Sequence, residues 1–325
     1  MRKSTWIASL SFFALLVGAS VFSFFRFFKE PMPESGGNWM TNLSDDKQIS
    51  LLSIPGSHDS GARHSIIDVA GICQDLTIEE QLNAGVRFFD IRLRANKNDL
   101  MVCHGYIDQG ITFSNVRDSF RNFLKEHPGE GLFVSVKEEQ DPADSTKSFD
   151  ELLRWQIDDD SYWYLDNAIP DTLGEIRGKA VLISRYFDST IGIPAASGWR
   201  DPPEAEKNNT FGLPVGDGVL EIQDHYKLKT IDDKKAEFQA LLDRANSYTA
   251  AELAADTLAN KQKLFVNFAS GYLDGKIPPT YSLSVAPEMN KYVAESVKNV
   301  SNTGIVLLDF VTAELCQKIY EVNAR

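Results

Sequence analysis

The run Leu132-Phe133-Val134-Ser135-Val136-Lys137 has the pattern that decides the fold. Its mostly apolar residues do not alternate with polar ones, which is typical of a strand buried on both faces of a parallel sheet. A cation, Lys137, follows at the carboxyl end. Outward along the chain, similar runs predict strands at Ile49–Ser53, Val86–Leu93, Leu100–Cys103, Ala180–Ser184, Val219–Ile222, Leu264–Phe268 and Ile305–Leu308.

Amphipathic stretches between most of these runs predict helices. Thr77 precedes Glu80 in a Thr-x-x-Glu capping box, and Thr312 closely follows the last strand run, so both mark helix starts. Strands that alternate with helices indicate a single α/β domain with a largely parallel sheet, and their number favours a barrel over an open sheet. The predicted helices are Thr77–Ala84, Phe113–Lys125, Ser145–Ile157, Asp232–Ser247, Ala250–Asn260, Pro287–Lys298 and Thr312–Val322.

Composition excludes several classes of protein. The 325 residues are 43% hydrophobic and 24% charged, which rules out wholesale disorder. Lys and Arg total 33 and Asp and Glu total 46, so the formal charge is −13. That charge argues against a nucleic-acid-binding protein and against strong non-specific attraction to anionic membranes. The 3 cysteines allow one disulfide with a free thiol, or only free thiols.

Residues 1–29 are predicted to be a separate targeting segment. Arg2 and Lys3 precede an uncharged, mostly apolar run, which is typical either of a signal peptide or of an uncleaved membrane anchor. Residues 30–37, rich in Pro and Gly, are predicted to be a linker to one domain at 38–325. Either interpretation of the apolar run places this domain outside the cytoplasm, as a secreted or a membrane-anchored protein.

Charged or imidazole side chains recur where the predicted strands end. A barrel brings the carboxyl ends of its strands to one face, which is where barrel enzymes have their active sites. One such residue is ordinarily a solvated strand end, but a whole set is harder to explain structurally, because charges near a barrel mouth are costly unless they are paired or used. The set is His58, Asp59, Arg92, His104, Lys137, Arg185, Asp224 and Asp309.

The chemistry of this set indicates a phosphoryl-transfer pocket that also recognises a polyol. Two histidines can divide general-base and general-acid work near neutral pH, and Asp309 can orient one imidazole. The three cations of the set supply positive charge for a phosphodiester. Asp224 and nearby Tyr226 can accept hydroxyl hydrogen bonds and present a flat face to a ring.

Metal ligation by the two histidines is the alternative interpretation. His and Asp both bind divalent metals, but three neighbouring cations would repel one. We therefore predict no metal and no cofactor at this site.

Seven segments of the sequence resemble, in the same order, the motifs of bacterial-type phosphatidylinositol-specific phospholipase C. The resemblance covers about residues 38–323, and Cys103 is a local departure beside the second histidine. The segments are 53–61 (SIPGSHDSG), 89–94 (FDIRLR), 102–105 (VCHG), 134–139 (VSVKEE), 178–186 (GKAVLISRY), 222–226 (IQDHY) and 305–309 (IVLLD).

The resemblance implies a distorted (β/α)8, TIM-like barrel. It also implies cleavage of phosphatidylinositol, or of glycosylphosphatidylinositol anchors, to diacylglycerol and inositol 1,2-cyclic phosphate without a metal. The partner would be phosphatidylinositol in a membrane surface, and the chain would act as a monomer that binds no nucleic acid.

A role for each site residue follows from the same resemblance. His58 would be the general base on the inositol 2-hydroxyl, with Asp309 as its partner, and His104 the general acid on the leaving diacylglycerol oxygen. Arg92 would hold the phosphate in place of a metal, and Asp59 would support Arg92 and the leaving-group region. The residues implied to bind inositol are Lys137, Arg185 and Asp224 for the hydroxyls and Tyr226 for the ring.

Two other functions stay open at this point. One is a metal-dependent phosphodiesterase of a related barrel that acts on glycerophosphodiesters or sphingomyelin, and the other is an inactive membrane protein that binds inositol phosphates. Loop aromatics either contact a bilayer interface beside the site or are ordinary, partly buried side chains. These aromatics are Trp199, Phe211, Tyr272 and Tyr281.

Overall fold

The computed structural model of the chain describes residues 36–64, 71–199, 210–255, 262–274 and 282–325. The predicted targeting segment, 1–29, and residues 30–35 of the predicted linker lie outside the described residues. In the part of the chain that is described, no helix has both the length and the apolar character needed to cross a membrane.

A large, mostly parallel sheet forms the centre of the domain. The structure contains the strands β1 (Ile54–Ser57), β2 (Phe88–Asn96), β3 (Asp99–His104), β4 (Ile107–Thr112), β5 (Leu132–Glu138), β6 (Trp163–Tyr164), β7 (Ala180–Arg185), β8 (Ile193–Pro194), β9 (Thr210–Val215), β10 (Gly218–Gln223), β11 (Lys227–Leu228), β12 (Lys263–Phe268), β13 (Tyr272–Leu273) and β14 (Ile305–Leu308). The main sheet has the order β6-β7-β5-β2-β1-β14-β12-β10-β9, in which only β9 runs antiparallel to its neighbour.

Helices follow most of the parallel strands, as the alternating sequence pattern predicts. The apolar sides of the sheet and of the helices share one buried core, in which Phe89 of β2 packs 4.8 Å from Phe120 between ring centroids. The curled sheet and its helices make a TIM-like α/β barrel of one domain. The helices are α1 (Ile78–Ala84), α2 (Phe113–Glu126), α3 (Phe149–Ile157), α4 (Leu173–Ile176), α5 (Ile231–Ser247), α6 (Ala250–Ala255), α7 (Ser282–Ser296) and α8 (Ala313–Tyr320).

The predicted strand Ile49–Ser53 is wrong. Ile49–Leu51 forms a 3-10 helix, and β1 begins only at Ile54. Gly56 lets β1 fit between its neighbours, because a Cβ there would lie 3.1 Å from the Phe88 Cβ atom. Pro and Gly both have a low intrinsic preference for strands, so the sequence pattern misses a strand that the surrounding sheet imposes.

The predicted strand Leu100–Cys103 exists within β3, but it does not belong to the parallel barrel. It pairs antiparallel with β2 across the loop Lys97-Asn98, whose φ angles of 51° and 61° are typical of a tight hairpin turn. Strand β2 continues four residues beyond Arg92, to Asn96. The hairpin then turns back, and this return brings His104 toward the barrel mouth.

Three predicted helices have clearly different bounds in the structure. The helix predicted over Ser145–Ile157 is α3, which begins only at Phe149, after Ser148 caps its amino-terminal end. The helix predicted from Pro287 is α7, which already includes Ser282 and carries Pro287 inside it. Burial of Val285, Met289 and Val293 on one side of α7 outweighs the cost of an internal proline. The helix predicted over Ala250–Asn260 is α6 as far as Ala255, and residues 256–260 lie outside the described chain.

A buried ion pair attaches the start of the described chain to the amino-terminal end of β2. Arg87 and Glu130 are fully buried and lie 2.9 Å apart. Arg87 Nη2 also donates to the carbonyls of Gly36 at 3.0 Å and Gly37 at 2.9 Å. These glycines, which the sequence pattern assigned to the linker, are therefore part of the folded unit.

Candidate active site

A cavity of about 470 Å³ opens at the carboxyl ends of the parallel strands. Asp59, which is fully buried, lies next to the cavity and contacts two of the lining residues, Arg92 and His104, at 3.6 and 3.5 Å. The structure therefore brings all the site residues predicted from the sequence together. Those that line the cavity are His58, Arg92, His104, Lys137, Arg185, Asp224, Tyr226 and Asp309.

His58 and Asp309 form a buried pair at one side of the cavity. His58 follows β1 and Asp309 follows β14, and these strands are parallel neighbours, so the two side chains meet with His58 Nδ1 2.8 Å from Asp309 Oδ1. Burial and the nearby Arg92 act to lower the pKa of His58. The charge and hydrogen bond of Asp309 outweigh them, so the pKa is raised above its ordinary 6.5.

Arg92 occupies the centre of the site. Its Nη2 lies 2.7 Å from His58 Nε2, its Nε lies 3.2 Å from Asp90 Oδ2, and its Nη1 lies 3.5 Å from Glu139 Oε1. Burial acts to lower the pKa of Arg92, but Asp90, Asp59 and Glu139 raise it well above the ordinary value. The guanidinium is therefore held charged beside the cavity.

His104 and Asp59 lie next to each other, and Asp59 also contacts Arg92. His104 Nε2 is 3.5 Å from Asp59 Oδ2, and about a third of the His104 side chain is exposed. Gly71 leaves room for this ring, because a Cβ there would lie 2.9 Å from His104 Nδ1. Burial raises the pKa of Asp59, although Arg92 and His104 oppose the shift.

The cations of the cavity are paired with carboxylates, which the sequence analysis did not predict. Asp90 Oδ1 lies 3.3 Å from Arg185, and Glu139 Oε2 lies 2.7 Å from Lys137. Both carboxylates also contact Arg92. The repulsion that the sequence interpretation expected between the cations and a metal is therefore largely offset.

The cations also determine the ionisation of these two carboxylates. Burial acts to raise the pKa of Asp90, but Arg92 and Arg185 lower it far below its usual range. Burial acts to raise the pKa of Glu139 as well, but Arg92 and Lys137 lower it to about 2. Both carboxylates therefore stay ionised at neutral pH.

Trp199 is a partly buried side chain that lines the cavity. Its Nε1 donates to Asp224 Oδ2 at 2.8 Å, and its ring lies 3.8 Å from the Arg185 guanidinium carbon. Tyr226 and Tyr272 also line the cavity, with ring centroids 6.0 Å apart. Phe211 is buried in β9, and Tyr281 lies outside the described residues.

Two groups of side chains in the described chain could hold a metal, and they share Cys73. One group is His58, Cys73 and Asp309, and the other is Asp59, Cys73 and His104. In each group the ligand atoms lie within 4.8 Å of one another. The three cysteines are free, so the Cys73–Cys103 pair that the sequence permitted does not form here.

Sequence reasoning missed Asp90, Glu139, Cys73 and Trp199 as site residues. Side chains two residues apart in a strand share a face, so Asp90 could have been found from Arg92, and Glu139, just past the end of β5, from Lys137. Trp199 and Cys73 are brought to the site by irregular loops, and no periodic signal marks such positions.

The family model described as phosphatidylinositol-specific phospholipase C, X domain, matches residues 52–186. The chain belongs to this family of barrel enzymes, because it is 31% identical over 301 residues to a curated relative and covers 90% of that relative's length.

That relative is the 1-phosphatidylinositol phosphodiesterase of Staphylococcus aureus, and the alignment covers 86% of this chain. The protein of the same name from Listeria monocytogenes is 26% identical, over 97% of this chain and 94% of its own length. A solved variant of the S. aureus phosphatidylinositol-specific phospholipase C superimposes with a TM-score of 0.77 at 27% identity, over 90% of this chain and 99% of the other.

Proposed function

We propose that the protein cleaves phosphatidylinositol to diacylglycerol and inositol 1,2-cyclic phosphate. The observation that carries the proposal is the placement of two histidines around one cation, Arg92. Arg92 lies 2.7 Å from His58 and 3.6 Å from Asp59, which in turn lies 3.5 Å from His104. A phosphodiester held by Arg92 would have a proton acceptor and a proton donor at its two ends.

His58 is the general base in this proposal. Its Nδ1–H donates to Asp309, and its Nε2 accepts from Arg92, so the two neighbours favour the tautomer whose Nε2 can take a proton. That proton comes from the inositol 2-hydroxyl, whose oxygen attacks the phosphorus atom. Attack is intramolecular, so much of the entropy cost is paid in advance.

His104 is the general acid and protonates the diacylglycerol oxygen as its bond to phosphorus breaks. Arg92 stabilises charge on the non-bridging oxygens. Asp59, which contacts both Arg92 and His104, keeps these two side chains next to each other. General acid–base groups typically contribute about 10²–10⁴-fold each.

In this proposal the inositol ring binds in the part of the cavity that is lined by Lys137, Arg185, Asp224 and Tyr226. Lys137, Arg185 and Asp224 contact hydroxyl groups, and Tyr226 packs on the ring. The pairing of Arg185 with Asp224, at 3.6 Å, places a donor and an acceptor side by side, as recognition of neighbouring hydroxyls requires.

We further propose that residues 1–29 direct export, as a signal peptide or an anchor, and that the domain at 38–325 works as a monomer outside the cytoplasm. Its partner is phosphatidylinositol in a membrane surface. The net charge of −13 supports weak overall attraction to that surface and no nucleic-acid binding.

The test is product analysis with the purified full chain. Phosphorus NMR should show inositol 1,2-cyclic phosphate forming from phosphatidylinositol in vesicles, with glycosylphosphatidylinositol, sphingomyelin and a glycerophosphodiester assayed in parallel. Turnover of the last two alone would instead indicate a related metal-dependent phosphodiesterase. Binding of inositol phosphate without turnover of any lipid would indicate an inactive binding protein.

A further inference from the structure

We propose that Asp59, Cys73 and His104 form a site for a thiophilic divalent cation such as Zn²⁺, and that its occupancy blocks catalysis. The site itself is independent of the proposed function, and only the inhibitory effect rests on it. The cation here is an inhibitor and not a cofactor.

The three side chains present the ligand set that Zn²⁺ prefers. Thiolate, imidazole and carboxylate bind Zn²⁺ at about 2.0–2.3 Å in a tetrahedron, whose ligand atoms are then roughly 3.4 Å apart. His104 Nε2 and Asp59 Oδ2 already lie 3.5 Å apart, and the Cys73 thiol lies within 4.8 Å of both. Modest side-chain rotation would complete the three-ligand geometry.

Asp59 provides a second, independent indication of a ligand. Its side chain is fully buried, and neither Oδ1 nor Oδ2 has a hydrogen-bond partner. Its nearest cationic contacts, Arg92 and His104, are at 3.6 and 3.5 Å. A buried carboxylate is costly without close partners, and a metal ion would satisfy it.

Cys73 is fixed in position by its backbone. Its N–H donates to the Ala62 carbonyl at 2.8 Å, and its carbonyl accepts from Phe310 N–H at 2.7 Å. Its side chain lines the catalytic cavity, as does that of His104. A cation can therefore reach the site from the cavity without opening the fold.

The positive charge of the nearby Arg92 does not prevent a cation from binding to Asp59, Cys73 and His104. Arg92 keeps Asp90 and Glu139 as partners when Asp59 turns to a metal. The set with one thiolate, one carboxylate and one imidazole neutralises a divalent ion. Hard cations such as Ca²⁺ and Mg²⁺ prefer all-oxygen sites, so the thiol selects against them.

The alternative group, His58 with Cys73 and Asp309, is less suited to a metal. Both nitrogens of His58 are engaged, Nδ1 by Asp309 at 2.8 Å and Nε2 by Arg92 at 2.7 Å. His104 Nε2, by contrast, lies 3.5 Å from Asp59, whose carboxylate is itself poorly satisfied. Ligation of His104 would remove the proposed general acid, so the bound cation would stop turnover.

Co²⁺ titration of the reduced full chain, followed by optical absorbance, tests the site directly. Cobalt bound to a thiolate gives a charge-transfer band in the near ultraviolet, and we expect this band to saturate at one equivalent and to be displaced by Zn²⁺. Cys73→Ser should abolish the band, whereas Cys103→Ser, the matched control, should keep it. His104→Ala, as a second variant, should weaken Co²⁺ binding at least tenfold.

Inhibition provides a separate measurement. Zn²⁺ should inhibit the wild type reversibly, chelator should restore turnover, and Cys73→Ser should raise the inhibition constant at least tenfold relative to its own metal-free rate. Absence of the band, or a band that survives Cys73→Ser, would overturn the site. A cobalt band in a protein that cleaves no lipid would support the site while overturning the proposed function.

Discussion

Two arginines of the same stretch of chain have opposite surroundings. Arg87 lies just before β2, at the amino-terminal end of the barrel, whereas Arg92 lies within β2, level with the carboxyl-terminal ends of β5 and β7. Arg87 is fully buried and donates to Glu130 and to the carbonyls of Leu82, Val86, Gly36 and Gly37. Its guanidinium also lies 4.6 Å from the Phe123 ring centroid.

Arg92 keeps 14% of its side chain exposed and meets its carboxylates at 3.2–3.6 Å. Burial lowers the pKa of Arg87, whereas carboxylates raise that of Arg92. The difference separates stability from function along one stretch of chain, because the amino-terminal end of a barrel is ordinarily structural and the carboxyl-terminal end carries chemistry. The N–H groups of Arg87 donate to protein acceptors, whereas Arg92 borders a cavity in which a phosphate could accept hydrogen bonds from it.

The largest expected effect is the loss of turnover in His58→Ala and His104→Ala. Each change removes a proton-transfer group, so kcat should fall by about 10²–10⁴-fold. His104 is about one-third exposed, so its removal should change the free energy of unfolding by less than about 1 kcal/mol. Lipid turnover and chemical denaturation are the two measurements. Activity within a few-fold of wild type in either variant would refute the assigned roles.

Arg87→Met should show the reverse behaviour. Removing one partner of a buried pair leaves Glu130 uncompensated and costs about 3–5 kcal/mol of unfolding free energy. The kcat of the protein that remains folded should stay within about twofold of wild type, because Arg87 is at the other end of the barrel. Urea titration and active-site-normalised turnover test this. A stable Arg87→Met protein with a large loss of kcat would break the comparison.

A smaller effect is expected from the pH dependence of the His58–Asp309 pair. The folded-state pKa of His58 is raised above 6.5, so the pair stabilises the fold below that pH, and this contribution is lost as pH rises through the folded-state pKa. The stability difference between wild type and His58→Gln should therefore shrink between about pH 5.5 and about pH 9. Denaturation curves at several pH values measure it, and a difference that grows with pH would contradict the raised pKa.

Catalysis depends on the other protonation state of the same side chain. A general base must be neutral, so the acid limb of kcat/KM should have its midpoint above 6.5 and move downward when Asp309 is replaced by Asn. Stability and activity thus change in opposite directions with pH at the cavity end.

Sequence patterns predict the parallel strands well where the runs are long and apolar, as at Leu132–Val136 and Ala180–Ser184. They fail at β1, whose Pro55 and Gly56 form a strand only because neighbours on both sides impose it. They place His104 correctly in the site but assign it to the wrong element, because His104 ends a strand of the β2–β3 hairpin and not a parallel strand of the barrel.

Pairing between side chains is what the sequence could not provide. The three cations of the cavity are evident from the sequence, but the contacts of Asp90 with Arg185 and of Glu139 with Arg92 join different strands. Cys73 and Trp199 reach the cavity from irregular loops. These positions depend on tertiary packing that no local pattern encodes.

Excess chelator should have the smallest effect of all on phosphatidylinositol turnover. Arg92 supplies the positive charge for the phosphate in the proposed reaction, so excess chelator should change phosphatidylinositol turnover by less than about twofold. Added Ca²⁺ should not increase it. If chelator reduced turnover to background and Ca²⁺ restored it, the phosphate would be held by a metal, and Arg92 would differ from Arg87 only in its exposure and not in its function.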